Sequence, residues 1–300
     1  MSLIHILEKN RPQLSKSSLK VYNSVLNNLY RNITGKYNIP DPKWFMDEKE
    51  NIMKYLSNAP RDSRKLRLSA LVVLCENEPK VSEFYKHQMY KDIMDYNNEQ
   101  KLQKKTEKQK ENWITQSQVE EIYNKMRIDT RGLLKKGRSQ KLSSAEHSQL
   151  QDFIMLSLFV LNPPRRSQDY LEFLLHKQPT LETNGIVGKK FVFNKYKTSK
   201  TYGEQKVDIN PSLLSLLNQW KKINPNQEWL LIDKKGNKMT APEMTRRLNK
   251  IFGKNISVSM LRHIYISDKI LKNMPALNDL QETATDMANS VNQQILYKKV

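Results

Sequence analysis

The chain has 300 residues, 27% charged and 38% hydrophobic, and its 51 Lys and Arg against 31 Asp and Glu give a net charge of +20. That balance suits a globular chain and argues against a disordered one. No apolar run approaches the roughly 20 residues that span a bilayer, so no membrane partner is expected. Both halves of the chain are basic, which is not the pattern of a neutral domain with a basic tail. Nucleic acid is the sharper expectation for such a chain, and a lysine-rich soluble protein the blander one.

The opening MSLIHILEKNRPQ lacks the charged, apolar and small-residue succession of a signal peptide. With Cys75 as the only cysteine, an intracellular, reducing setting is expected, with Cys75 a small core residue. Helices are predicted through the first hundred residues. Ser15–Ile33 places Leu19, Tyr22, Val25, Leu26 and Leu29 on one face after a serine-rich start suited to capping. DPKWFMDEKENIMKYLSN and DSRKLRLSALVVLCENEP predict two more helices, parted by Asn58–Pro60, and a longer one begins near Pro79. Four helices with short connections predict a small bundle over 1–100.

KLQKKTEKQK, with five lysines and one glutamate, reads as a basic linker over 101–112, and Lys104 and Lys105 there are candidate DNA contacts. A second domain is predicted over 113–300. TQSQVEEIYNKM and AEHSQLQDFIMLSLFVLN read as helices, the latter apolar enough to be a core. GIVGKKFVFNKYKT and EQKVDI read as strands flanking the turn-rich SKTYG. PSLLSLLNQWKKI, APEMTRRLNKIF, SVSMLRHIYISDKIL and the last stretch return to helix. The expected fold class is mainly α with a small antiparallel β-sheet.

Phosphate-loop, nucleophile-elbow and metal-ligand spacings are all missing, so no metal and no ATP is expected. What remains is arginine and lysine in apolar or turn-rich frames. Arg165 and Arg166 follow Pro163–Pro164, with Asp169 placed to hold the Arg166 guanidinium. Lys197 and Lys200 lie near a hairpin tip, and Arg262 sits inside the apolar SMLRHIYIS. An arginine in such a frame needs an anion.

In this order the residues resemble the tyrosine recombinase, or phage integrase, superfamily. The wording PPRRSQDY and LRHIY is most similar to integrases of large DNA viruses, virophages and related eukaryotic mobile elements. The resemblance covers about 113–300, and more weakly the N-terminal bundle as a core-binding domain. It implies a clamp around double-stranded DNA, with Arg166 and Arg262 holding the scissile phosphate and Lys197 donating a proton. Tyr297, in MANSVNQQILYKK, would be the nucleophile. Arg165 and Lys200 would be further DNA contacts.

Two positions depart from the pattern: Ser259 stands where a histidine is expected, and Asn289 where histidine or tryptophan is usual. Both donate hydrogen bonds, but neither carries a proton as imidazole does. His263, beside Arg262, is the partial substitute. The resemblance further implies integration of a viral or mobile element by four protomers on two duplexes, in a host nucleus, viral factory or virion. Type IB topoisomerase, resolvase and decayed DNA-binding protein are the alternatives.

Overall fold

The computed structural model describes residues 2–224, 228–272, 274–286 and 291–292. Two units divide the chain: 1–104 with 275–300, and 105–274. Each has its own hydrophobic core. The mainly helical class with one small antiparallel sheet is what the described residues form. No helix among them is long and apolar enough to cross a membrane.

In the first unit the helices are α1 (Leu3–Asn10), α2 (Lys16–Thr34), α3 (Trp44–Asp47), α4 (Lys49–Ser57), α5 (Arg61–Leu74) and α6 (Pro79–Lys101). Ser15 caps α2 by accepting from the Ser18 amide, and Gly35 ends it at φ 71°, a conformation that glycine adopts without steric cost. Leu26 and Leu29 of α2 meet Phe45, Ile52, Leu68 and Leu71 in the core. Tyr85 donates a 2.6 Å hydrogen bond to the Phe45 carbonyl, tying α6 to α3. Arg64 grips the buried Asp92 with two 2.8 Å hydrogen bonds, which hold that carboxyl below its usual range. Cys75 is fully buried, and desolvation pushes its thiol up to about 12.

This unit holds more helices than the four that periodicity predicts. The run over 41–58 breaks at Glu48, and α1 is too short for its periodicity to stand out. The expected linker is largely helical as well. α6 reaches Lys101, Gln103 follows with a left-handed φ of 53°, and α7 (Glu107–Asn112) then starts behind a Thr106–Gln109 capping box. Gln103 also accepts from the Leu277 amide of a later helix (Leu277–Asp286). Among the described residues, 275–286 group with the N-terminal unit, rather than with the second domain that the sequence predicts over 113–300.

The second unit continues with α8 (Gln116–Lys136), α9 (Ser144–Val160) and α10 (Ser167–Leu171). Capping boxes at Thr115–Gln118 and Ser143–Glu146 fix the starts of α8 and α9. From Leu150 to Val160 every residue of α9 is buried, so this helix is the axis around which the unit packs. Strands β1 (Gly185–Val187), β2 (Lys190–Phe193) and β3 (Gln205–Asp208) pair antiparallel in the order β1-β2-β3. The β2–β3 connection is not a plain turn but contains one short helix, α11 (Ser199–Tyr202). Then come α12 (Pro211–Ile223), α13 (Ala241–Phe252) and α14 (Val258–Tyr265). The predicted helix around Arg262 widens into a π-helical turn at Ile266–Ile270. There Asp268 accepts a 3.0 Å hydrogen bond from the first amide of α8, Gln116.

Candidate nucleic-acid interface and catalytic cluster

α9 ends against Asn162, whose side chain donates to the Asp208 carbonyl at 2.9 Å and accepts from the Asn210 amide at 3.0 Å. That pair of bonds pins the Pro163–Pro164 segment to the end of β3, so Arg165 and Arg166 emerge from a fixed point. Arg166 is the N-cap of α10, with an extended backbone (φ −70°, ψ 154°).

The carboxylate partner corrects the sequence reading. Asp169 holds Arg165, not Arg166: Arg165 Nε donates to Asp169 Oδ2 at 2.7 Å. Spacing along a helix face does not govern Arg166, because the residue precedes the helical backbone. The Arg165 guanidinium also lies 4.0 Å from the Phe193 ring centroid and 5.4 Å from that of Tyr196. Arg165 is thus committed within the fold, although proposed as a DNA contact.

Asp169 is 2% exposed, and its second oxygen, Oδ1, is buried without a hydrogen-bond partner among the described residues. Desolvation raises its pKa above the usual carboxylate value, against the opposing pull of Arg165, Arg166 and Arg262. Arg262 responds in the opposite sense. Its pKa is lowered, first by burial and then by repulsion from Arg166 and Arg165, with Asp169 alone acting against them. Three guanidiniums therefore share one carboxylate. Among the described residues, neither the Arg166 nor the Arg262 guanidinium makes a hydrogen bond or an ion pair, although the Arg166 carbonyl accepts from the Asp169 amide at 3.1 Å. An added anion would relieve both the repulsion and the unmet donors, and planar guanidiniums suit a phosphate's oxygens.

Lys197 is exposed in the β2–β3 connection, without an ion pair among the described residues, and Lys200 is exposed on α11. One residue ties this connection to the arginine segment, and sequence reasoning missed it. Asn184, fully buried, donates to the carbonyls of Asp169 (2.7 Å) and Lys195 (2.9 Å). Its Oδ1 accepts from the amides of Asn194 and Lys195, both at 2.8 Å. Tyr196 then closes the connection by donating to the Gly203 carbonyl at 2.7 Å. Nothing in ETNG distinguishes Asn184 from an ordinary turn residue.

Ser259 and His263 are exposed, one helical turn apart on α14. Together with Lys108, Thr245 and Asn249 they line a polar cavity of about 450 Å³ that neither Arg166 nor Arg262 borders. Lys104 and Lys105 are exposed, and Lys105 Nζ lies 3.9 Å from the Trp113 ring centroid. Asn289 and Tyr297 lie outside the described residues. Among the described residues no three His, Cys, Asp or Glu side chains converge as a metal site.

The sequence matches no known family model and no curated protein.

Proposed function

We propose that this chain is a DNA integrase of the tyrosine recombinase type, which cleaves and rejoins strands through a 3′-phosphotyrosyl intermediate. The observation that carries the reading is the pair Arg166 and Arg262, partly buried, mutually repelling and without an ion pair among the described residues beside one shared carboxylate. Arg166 and Arg262 would hold the non-bridging oxygens of a scissile phosphate, whose negative charge grows in the transition state. The Tyr297 oxygen would form the new P–O bond as the P–O5′ bond breaks. Lys197, exposed on its connection, would protonate the departing 5′ oxygen. The phosphotyrosyl bond keeps the energy of the phosphodiester, so rejoining needs neither ATP nor metal.

In this reading double-stranded DNA is the partner, contacted by both basic units. Four protomers on two duplexes, in a host nucleus, viral factory or virion, would carry out integration. Topoisomerase IB or resolvase activity would use the same cluster. The contrasting reading, a DNA-binding protein with a decayed site, draws support from Ser259. That residue is exposed and lines a cavity which Arg262 does not border.

The test is covalent capture on a nicked duplex carrying the element's own terminal sequence, without metal, resolved on a denaturing gel. An adduct from the parent protein and none from Tyr297→Phe is the expected result. DNA binding with no adduct from either would favour the decayed reading.

A further inference from the structure

The second unit carries a second basic feature that the proposed strand chemistry does not use. A cavity of about 1040 Å³ opens where the end of α8, the start of α9, the end of α12 and the Ile232–Lys238 turn meet. Arg138, Lys141, Lys222, Lys234, Lys235 and Lys250 line it, and all six are exposed. None of the six has an ion-pair partner among the described residues. The single carboxylate in the lining, Asp233, is occupied by the backbone amides of Lys235 (2.8 Å) and Asn237 (2.9 Å). Six cations therefore line a concave surface whose only lining carboxylate is Asp233, which also attracts Lys235.

The walls are fixed by buried polar bonds rather than left to loops. Gln151, 1% exposed, spans to Ile232 with both ends of its amide at 2.9 Å, anchoring the turn that carries Lys234 and Lys235. Arg247, 8% exposed, is held by Asp152 at 2.6 Å, Ser148 at 3.1 Å and Glu243 at 3.0 Å. Gly137 lets the end of α8 close on α12, since a Cβ there would stand 3.0 Å from Ile223. The buried wall is thus organised before any ligand arrives, apart from His147 Nε2, which is buried without a hydrogen-bond partner among the described residues.

This cavity is remote from the arginine cluster. It uses α9 only as far as Gln151, whereas Arg165 and Arg166 follow the far end of that helix at Val160, about 14 Å on at about 1.5 Å per residue. Its volume compares with the roughly 300–1,000 Å³ of small-molecule sites, so a concave pocket of this size suits a compact ligand rather than a duplex segment. Six unpaired cations call for several negative charges in a small volume.

We propose that this cavity binds a small soluble polyphosphate, with Lys222, Lys234 and Lys235 among its principal phosphate contacts. The proposal does not depend on the strand-cleavage reading. The test is isothermal titration of the full chain with inorganic tripolyphosphate at moderate salt. It compares the parent with Lys222→Glu/Lys234→Glu/Lys235→Glu and with Arg166→Ala/Arg262→Ala, each checked for an unchanged melting profile. The expected result is saturable one-to-one binding, weakened at least tenfold by the lysine reversals and changed less than twofold by the arginine pair. Absence of saturable binding, several weak sites per chain, or equal weakening in both variants would overturn it. So would a lysine triple variant that loses only affinity for duplex DNA.

Discussion

Two arginines of the second unit, Arg247 on α13 and Arg262 on α14, differ in one physical respect. Arg247 is nearly buried, but Asp152, Glu243 and Ser148 meet its guanidinium. Arg262 is less buried, yet its guanidinium meets no acceptor among the described residues and is repelled by Arg166 and Arg165. The first is an arginine whose anion is built into the fold; the second, in the function proposed above, is an arginine whose anion would come from outside. Burial alone does not separate a structural cation from a ligand-binding one. The inventory of acceptors does.

The sharpest way to break that comparison is to remove Arg247. Arg247→Met leaves Asp152 buried and unpaired, and urea unfolding should report a loss of about 3–5 kcal/mol. Asn184→Ala comes next. It strands the carbonyls of Asp169 and Lys195 together with two amides, and should lower stability by about 2–3 kcal/mol. The variant should also slow any reaction that uses Lys197, because the β2–β3 connection loses its tie to α10.

A smaller effect concerns His147, which lines the basic cavity. Desolvation, then repulsion from Arg247, depresses its pKa below the ordinary imidazole value. A depressed folded-state pKa gives stability that is full above the unfolded value, about 6.5, and lost as pH falls toward the folded one. Denaturant midpoints should therefore drop on acidification below about pH 6.5, and His147→Gln should flatten that slope. An unchanged slope in the variant would show that His147 is not its source. The smallest stability effect belongs to Arg262. Arg262→Met removes a repelled, partly desolvated charge, and the melting temperature should stay put or rise slightly.

How much of this could be read from the sequence depended on whether a pattern is local. The face of α2 and its Ser15 cap follow from period and residue type, and α9 follows from a run too apolar to face water. The strands around β2 and β3 show in the same way. The α1 helix and the break at Glu48 do not, because α1 is too short for its period to stand out and both are fixed by the core of Phe45, Ile52 and Leu7.

At the site, the residue types Arg166, Lys197 and Arg262 were legible as basic groups in unusual frames. The partner of Asp169 was not, since i,i+3 and i,i+4 spacings look alike until the backbone of Arg166 is known to be extended. Asn184 was hidden for a different reason. Its four hydrogen bonds join segments that only the folded chain brings together.

The central claim is that Arg262 is held in readiness for an external phosphate and contributes little to the fold. The most direct measurement is the rate of covalent adduct formation on the nicked duplex by the parent and by Arg262→Met, at matched folded fraction. The account predicts a loss of about 10²–10³-fold with unfolding free energy unchanged, as for removal of one donor to a developing oxyanion. Equal rates in the two proteins, or a loss of rate that tracks a loss of stability, would contradict it.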